Sequence, residues 1–208
     1  YKIQVDSSAS SGSGSSSSGS STTDTSNGTV VTSFSELTAA VTKAEKAGGG
    51  IVYVKGSSIS CTAQLALKAS NANVSIIGVK NSDGTYPVLD FSAFRSAYIG
   101  KATTDSEVGI RISGSKYTIK NLIIQKAPDN GIQIKGSSAG NNTIENCIVR
   151  YNNDAGVQIT GGAYSNTMRF VYSYRNCDVY TLGGNADGFA PKLGAGKGNV
   201  FYGCYSWE

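Results

Sequence analysis

The sequence predicts an all-β fold, a parallel β-helix carrying one short N-terminal capping helix, on three observations. Gly-aliphatic-polar-aliphatic recurs as Gly109–Ile112, Gly131–Ile134 and Gly156–Ile159, spaced by 22 and 25 residues, and Gly188-Phe189 opens a fourth copy 32 residues later. A second column repeats in phase, at Thr118–Leu122, Thr143–Cys147, Thr167–Val171 and Val200–Cys204. Turn formers lie between the columns: Asp129-Asn130, Asn141-Asn142, Asn152-Asn153-Asp154 and Gly161-Gly162. Two or three short strands in each period, joined by Asn- and Gly-rich corners, read as a solenoid of β-coils. The Leu-x-x-Leu-x-Leu spacing of leucine-rich repeats is absent, and a propeller needs longer periods built from hairpins.

The chain opens with a tail, residues 1–6, which reads as the end of a preceding module. Residues 7–27 read as a flexible linker, because 11 of the 15 residues from Ser7 to Ser21 are Ser and most of the others are Gly. Such a stretch has too little apolar area to offset its ordering entropy. The β-helix domain is expected over 28–208. Within it, Ser33 and Glu36 have the spacing of a capping box, and Leu37, Ala40, Val41 and Ala44 follow at helical spacing. Gly48–Gly50 ends this single expected helix, and Ile51–Val54 reads as a buried strand.

Coils stack at about 4.8 Å, so equivalent side chains form columns along the axis. Ile112, Ile134 and Ile159 fall in one inward column, and Ile119, Ile144, Met168 and Phe201 in another. Cys147, Val171 and Cys204 share a third. Cys147 and Cys204 are then two coils apart, too far for a disulfide, and read as small buried thiols. The bond state of Cys61 and Cys177 stays open at this level. Asn130, Asn152, Asn153, Asp129 and Asp154 read first as turn formers, since Asn and Asp tolerate left-handed backbone and bond nearby amides.

Composition narrows the chemistry. Among 208 residues there is no His, which excludes Ser-His-Asp and Cys-His nucleophiles and His-ligated zinc. The four cysteines show no Cys-x-x-Cys spacing. The net charge is +4, but the basic residues are scattered singly, so nucleic acid is not an expected partner. No apolar run approaches the length of about 18 residues that a membrane helix needs, so no membrane partner is expected either.

Parallel rows of side chains on a solenoid's outer face suit a linear polymer. Carboxylates on neighbouring coils also suit a hard cation such as calcium, which takes oxygen ligands. The candidate metal ligand is Asp187, which ends a coil lengthened between Arg175 and Asp187; a lengthened loop in a regular solenoid marks function.

Asn185-Ala186-Asp187-Gly188-Phe189-Ala190-Pro191-Lys192-Leu193, followed by Gly198–Trp207, resembles the family 9 polysaccharide lyases, which are calcium-dependent pectate lyases. The resemblance covers about 30–208 and implies a right-handed β-helix and a secreted enzyme that cleaves polygalacturonate, the backbone of pectin, by β-elimination. It implies that Asp187 is a Ca2+ ligand. The family's other carboxylate ligands and its catalytic Lys are expected beyond Glu208, so the resemblance implies that this stretch alone is inactive, with no catalytic residue assigned. Lys192 follows Asp187 on the same coil and is the candidate substrate-binding residue, facing a uronate carboxylate. Two alternatives stand beside this reading. One is a non-catalytic carbohydrate-binding or cell-surface solenoid using Tyr172, Tyr174, Tyr202 and Trp207. The other is a β-helix glycoside hydrolase, for which Asp154 and Asp187 are the acids to try. An open final coil further predicts that this chain by itself aggregates or stays partly unfolded.

Overall fold

The computed structural model describes residues 23–101, 103–178, 182–184 and 187–208. The tail and most of the expected linker lie outside them. Strand β1 (Thr29–Val31) leads into helix α1 (Phe34–Lys46), and β2 (Gly50–Val54), β3 (Ser58–Ser60) and β4 (Leu65–Leu67) complete the first coil. The next coil holds β5 (Val74–Gly78), β6 (Val88–Asp90), a one-turn helix α2 (Ser92–Ser96) and β7 (Ile110–Ile112). Three further coils follow, the third with a lengthened connection before its last strand: β8 (Tyr117–Lys120), β9 (Ile123–Gln125) and β10 (Ile132–Lys135); β11 (Thr143–Glu145), β12 (Ile148–Arg150) and β13 (Val157–Thr160); β14 (Thr167–Arg169), β15 (Tyr172–Tyr174) and β16 (Phe189–Pro191). Strands β17 (Val200–Tyr202) and β18 (Tyr205–Trp207) begin another.

These strands form three parallel sheets. The first runs β1-β2-β5-β8-β11-β14-β17, the second β4-β7-β10-β13-β16, and the third β3-β6-β9-β12-β15-β18. The register pairs Ile112 with Ile134 and Ile134 with Ile159, and Ile119, Ile144, Met168 and Phe201 stand in file as expected. All but Phe201 are fully buried. Each such side chain contributes about 1.5–3 kcal/mol through the apolar area it removes from water. The glycine that opens each motif copy is required by close approach: a Cβ on Gly156 would lie 2.0 Å from Ser173 Oγ, and one on Gly131 2.5 Å from Val149 Cγ1.

Helix α1 has the expected capping box. Ser33 Oγ accepts from Glu36 N at 3.3 Å, and Glu36 Oε2 accepts from Ser33 N at 3.2 Å. Leu37, Ala40 and Val41 are buried against the first coil. Tyr117, buried at the start of β8, donates its hydroxyl to Glu45 and accepts from Ala69 N at 2.7 Å. This ties the cap to the coils.

Three expectations need correction. Helix α1 is not alone, since α2 adds one turn that buries Phe94; five residues are too few for hydrophobic periodicity to reveal. The copies of the repeat begin earlier than the motif shows, because β4 pairs with β7 although no Gly-Ile signature precedes Leu65. Finally, Asn142 and Asn152 do not form left-handed turns. They belong to two buried side-chain ladders. Asn142, Asn166 and Asn199 make one, each Oδ1 accepting from the backbone N–H of the coil before, at 3.0–3.1 Å. Asn152 and Asn176 make the other, reaching Ala127 N at 2.9 Å and Asn152 N at 3.2 Å. The left-handed corners fall at Lys116, Asn141 and Ser165, so that Asn141 of the expected Asn141-Asn142 pair does take this conformation, at Asn121, Asn146 and Phe170, and at Lys126, Tyr151 and Arg175, with φ between 51° and 61°. The position dictates the conformation even where a bulky residue meets a steric penalty there.

All four cysteines are free thiols. Burial pushes the Cys61 and Cys147 thiols up to about 12, which keeps them protonated and unreactive.

Candidate functional site

Strand alternation decides which side chains leave the coil. In the second sheet the apolar residues point inward, so Arg111, Gln133, Lys135, Gln158 and Thr160 project from the outer face. Lys192 continues this file past β16, its backbone N–H bonded to Ile159 O at 3.0 Å. A cleft of about 420 Å³ opens along this face.

Acids come into the cleft from the corner preceding the second sheet. The asparagine ladder makes Ala127, Asn152 and Asn176 equivalent on successive coils. Asp129, Asp154 and Asp178 each lie two residues further on, and all three line the cleft. Stacked coils thus bring like charges together. Burial, and then the charge of Asp154, push the Asp129 carboxyl up to about 7. Asp154 is also raised, by burial. Thr103 Oγ1 donates to Asp129 Oδ1 at 3.2 Å.

The opposite wall is the connection from β6 to β7, which carries α2. Arg95 anchors it by donating to Tyr151 O at 2.9 Å and to Asn153 Oδ1. Asp105 on this wall receives Lys135, Arg111 at 3.2 Å and Gln133 Nε2 at 3.0 Å. Burial alone would raise Asp105, but Lys135, Gln133 and Arg111 together hold it down at about 2.

Asp187 and Lys192 are brought together, with Lys192 Nζ 2.8 Å from Asp187 Oδ2 and both side chains partly exposed. Asn185 and Ala186 of the same motif lie outside the described residues. Asp187 Oδ2 therefore already has a cationic neighbour. Oxygen donors of this kind suit a hard cation. Their number does not, because among the described residues no group of three acids or thiols converges as a metal centre. The residues present do not fit a complete calcium site; Asp187 is one donor of the right type. The acids considered for hydrolysis are not paired with each other either: Asp187 is bonded to Lys192, and Asp154 faces Asp129.

Glu208, beyond which the family's base and remaining ligands are expected, stands outside this cleft. Its carboxylate accepts from Arg175 Nε, and the two residues sit at the third-sheet end of the coil, beside Tyr174 and Trp207. Glu208 is thus the partner of a corner arginine and adds no oxygen to the surroundings of Asp187. No side chain of the cleft is matched to the family's catalytic Lys, and none is assigned that part here.

Sequence patterning does not reveal the Asp129–Asp154 relationship or the wall bearing Asp105, since a turn accounts for both corner acids by itself. A signal is present nonetheless: each stands two residues before the glycine of a motif copy, at Gly131 and Gly156. The aromatic residues weighed for sugar stacking are divided between faces. Tyr172 stacks on Tyr205 and Tyr174 on Trp207 along the third sheet, at 5.6 and 4.5 Å, while Tyr202 meets Phe170 on the first.

The comparisons with known proteins agree with this architecture. A family profile described as "Pel9A-like, right handed beta helix region" matches residues 18–208. Pectate lyase L of Paenibacillus polymyxa is 33% identical over 177 residues, which cover 81% of this chain and 37% of that protein. Pectate lyase L of Dickeya chrysanthemi is 29% identical over 121 residues, 58% of this chain and 27% of that one. The crystal structure of pectate lyase Pel9A superposes with a TM-score of 0.67 at 28% identity, covering 84% of this chain and 42% of its own. The chain thus spans between about a quarter and two-fifths of the length of these relatives. With three parallel sheets wound into coils and a profile match that runs through all of them, this chain belongs to the Pel9A-like right-handed β-helix family, the pectate lyases of polysaccharide lyase family 9.

Proposed function

We propose that this chain is the N-terminal part of a secreted, calcium-dependent pectate lyase that cleaves polygalacturonate by β-elimination. The observation that carries the reading is the 33% identity to a pectate lyase over 81% of the chain. The Asp187–Lys192 pair on the outer face supports it. Neither alternative has comparable support: the named relatives are lyases, and the acids do not form a hydrolytic pair.

β-Elimination removes the proton α to a uronate carboxyl, which is difficult while that carboxylate is ionised. A bound Ca2+ would supply positive charge beside it, and Asp187 is proposed as one of its ligands. Lys192 is proposed to meet a uronate carboxylate, as a compact point charge on a flexible stem. The outer face of the second sheet is proposed as the bed of the polymer, with Gln133, Gln158 and Thr160 offering neutral hydrogen-bonding groups to sugar hydroxyls. The remaining Ca2+ ligands and the proton-abstracting base are assigned to residues after Glu208. The Ser/Gly stretch is proposed as a tether to an upstream module.

The test uses a longer protein that contains this chain, supplied with CaCl2 and polygalacturonate. The expected product is an unsaturated uronide that absorbs in the ultraviolet, with none formed after chelation. New reducing ends without that absorbance would reject elimination, and binding without any turnover would return the solenoid to a carbohydrate-binding role.

A further inference from the structure

Three of the acids that line the cleft, and Asp187 of the resembling motif, can be sorted by what neutralises them. Asp105 has Lys135 and Arg111. Asp187 has Lys192. Among the described residues, Asp129 and Asp154 have no ion pair of that kind; their side chains hydrogen-bond to each other from successive coils, Thr103 Oγ1 donates to Asp129 at 3.2 Å, and Lys192 acts on Asp154 only through its charge. Lys101, which also lines the cleft, is turned away to Ala97 O at 2.7 Å. The two carboxyls lie within hydrogen-bonding reach of each other, and one ion with oxygen contacts of about 2.3–2.6 Å can take an oxygen from each of two such adjacent groups.

A second observation points to a ligand here. Gln133 projects from β10 into the cleft, and its residue is only 3% exposed. Its Nε2 donates to Asp105, to Gln158 Oε1 at 2.9 Å and to Asn130 Oδ1 at 3.3 Å. The other end of the same amide, Oε1, accepts nothing from the described residues. Asn130, next to Asp129 and 1% exposed, likewise holds an unpaired Nδ2. A buried amide oxygen without a donor costs about 1–3 kcal/mol, and a cation relieves that cost as well as a hydrogen bond does.

We propose that the facing carboxylates of Asp129 and Asp154 form a divalent-cation site of the calcium class in this cleft, with Thr103 Oγ1 and Gln133 Oε1 as neutral oxygen donors beside them. The site is built on the two coils before that of Asp187 and does not use it, so it stands whether or not the lyase reading is correct. Two carboxylates with neutral oxygens and water match the coordination habits of Ca2+, which accepts irregular sets, better than those of Mg2+. Its effect on the fold is to replace repulsion between successive coils by a bridge.

The experiment is calcium titration by calorimetry, with equilibrium dialysis as the second measurement, of the longer protein that contains this chain, as the single variant Asp187→Asn and the triple variant Asp129→Asn/Asp154→Asn/Asp187→Asn. Circular dichroism and melting in chelator check that both variants fold. One equivalent of Ca2+ should bind to Asp187→Asn, and binding to the triple variant should weaken at least tenfold. CaCl2 should raise the melting temperature of Asp187→Asn and not that of the triple variant. No binding to Asp187→Asn, or an unchanged isotherm in the triple variant, would each overturn the proposal. Binding through Asp129 and Asp154, in a protein whose longer form makes no unsaturated uronide, would uphold the site and remove the lyase reading.

Discussion

Lys192 Nζ lies 2.8 Å from Asp187 Oδ2, so the aspartate of the family motif carries a counter-charge from its own coil. Both groups are partly exposed, and the pair contributes little to folding. Its proposed value is positional: a cation and an anion stand side by side where the lyase proposal places a uronate. Lys192→Met is expected to weaken binding of oligogalacturonate by about tenfold, equivalent to about 1.4 kcal/mol. Unfolding stability should change by less than about 1 kcal/mol. Affinity electrophoresis and urea melts measure the two effects, and an unchanged affinity would remove Lys192 from the substrate site.

The asparagine ladders should be far more sensitive. Asn166 Oδ1 accepts from both Asn142 N and Asn142 Nδ2, and its own Nδ2 donates to Ala139 O and Asn199 Oδ1, all within the wall of the coil. Asn166→Ala leaves the buried Asn142 N–H without an acceptor, leaves Asn142 Nδ2 with Gly114 O alone, and takes a donor from Ala139 O and from Asn199 Oδ1, each loss costing up to about 1–3 kcal/mol. A loss of about 3 kcal/mol or more in denaturant unfolding is expected. Asn199→Ala, at the more exposed end of the same ladder, should cost clearly less.

Tyr117→Phe tests whether the cap is joined to the coils by chemistry as well as by burial. The ring would still fill its site, but Ala69 N would lose its acceptor and Glu45 its donor. The expected cost is about 1–3 kcal/mol. A melting curve identical to wild type would show that water replaces the hydroxyl.

Glu145 gives the stability a pH dependence. The hydrogen bond from Lys120, followed by that from Arg169, holds its carboxyl below the ordinary range. A depressed carboxyl pKa means that the unfolded chain takes up the proton first on acidification. The stabilisation is therefore complete above the ordinary glutamate value of 4.5 and is lost as the pH falls below it toward the folded value. Wild type should lose stability more steeply below about pH 4.5 than Glu145→Gln, whose denaturant midpoints should be flatter across that window.

Strands β16, β17 and β18 lie at the outer edges of their sheets, and Tyr202 and Tyr205 are 60% exposed beside them. Unpaired parallel edges with exposed aromatics invite pairing between copies. This chain studied alone should self-associate in sedimentation at micromolar concentration; a monodisperse monomer that melts cooperatively would contradict it.

The repeat is legible in the sequence because each coil must present the same inward residues to its neighbour. Gly109, Gly131 and Gly156 mark the start of equivalent strands, and the isoleucines after them are buried wherever the coils stack. The capping helix is legible for a similar reason, since Ser33 and Glu36 act within one turn. The Asp129–Asp154 relationship is not, because its cause is lateral: two residues 25 positions apart meet only after their coils have stacked in register. The same holds for Arg175 and Glu208, which close the corner of the last coil across 33 positions. Gln133 and Asp105 are a third case. Their contact depends on the path of a 19-residue connection, from residue 91 to 109, that has no periodicity to read.

By itself, then, the sequence determined the architecture, its inward columns, the cap and the family motif around Asp187, since local patterning and burial suffice for these. Only the tertiary structure decided which polar side chains share a cleft. It made ladders of asparagines that local chemistry assigns to corners, gave Asp187 its lysine, and set two aspartates against each other. The physical reason is that strand alternation fixes whether a side chain points in or out, whereas the stacking of coils fixes whose company it keeps.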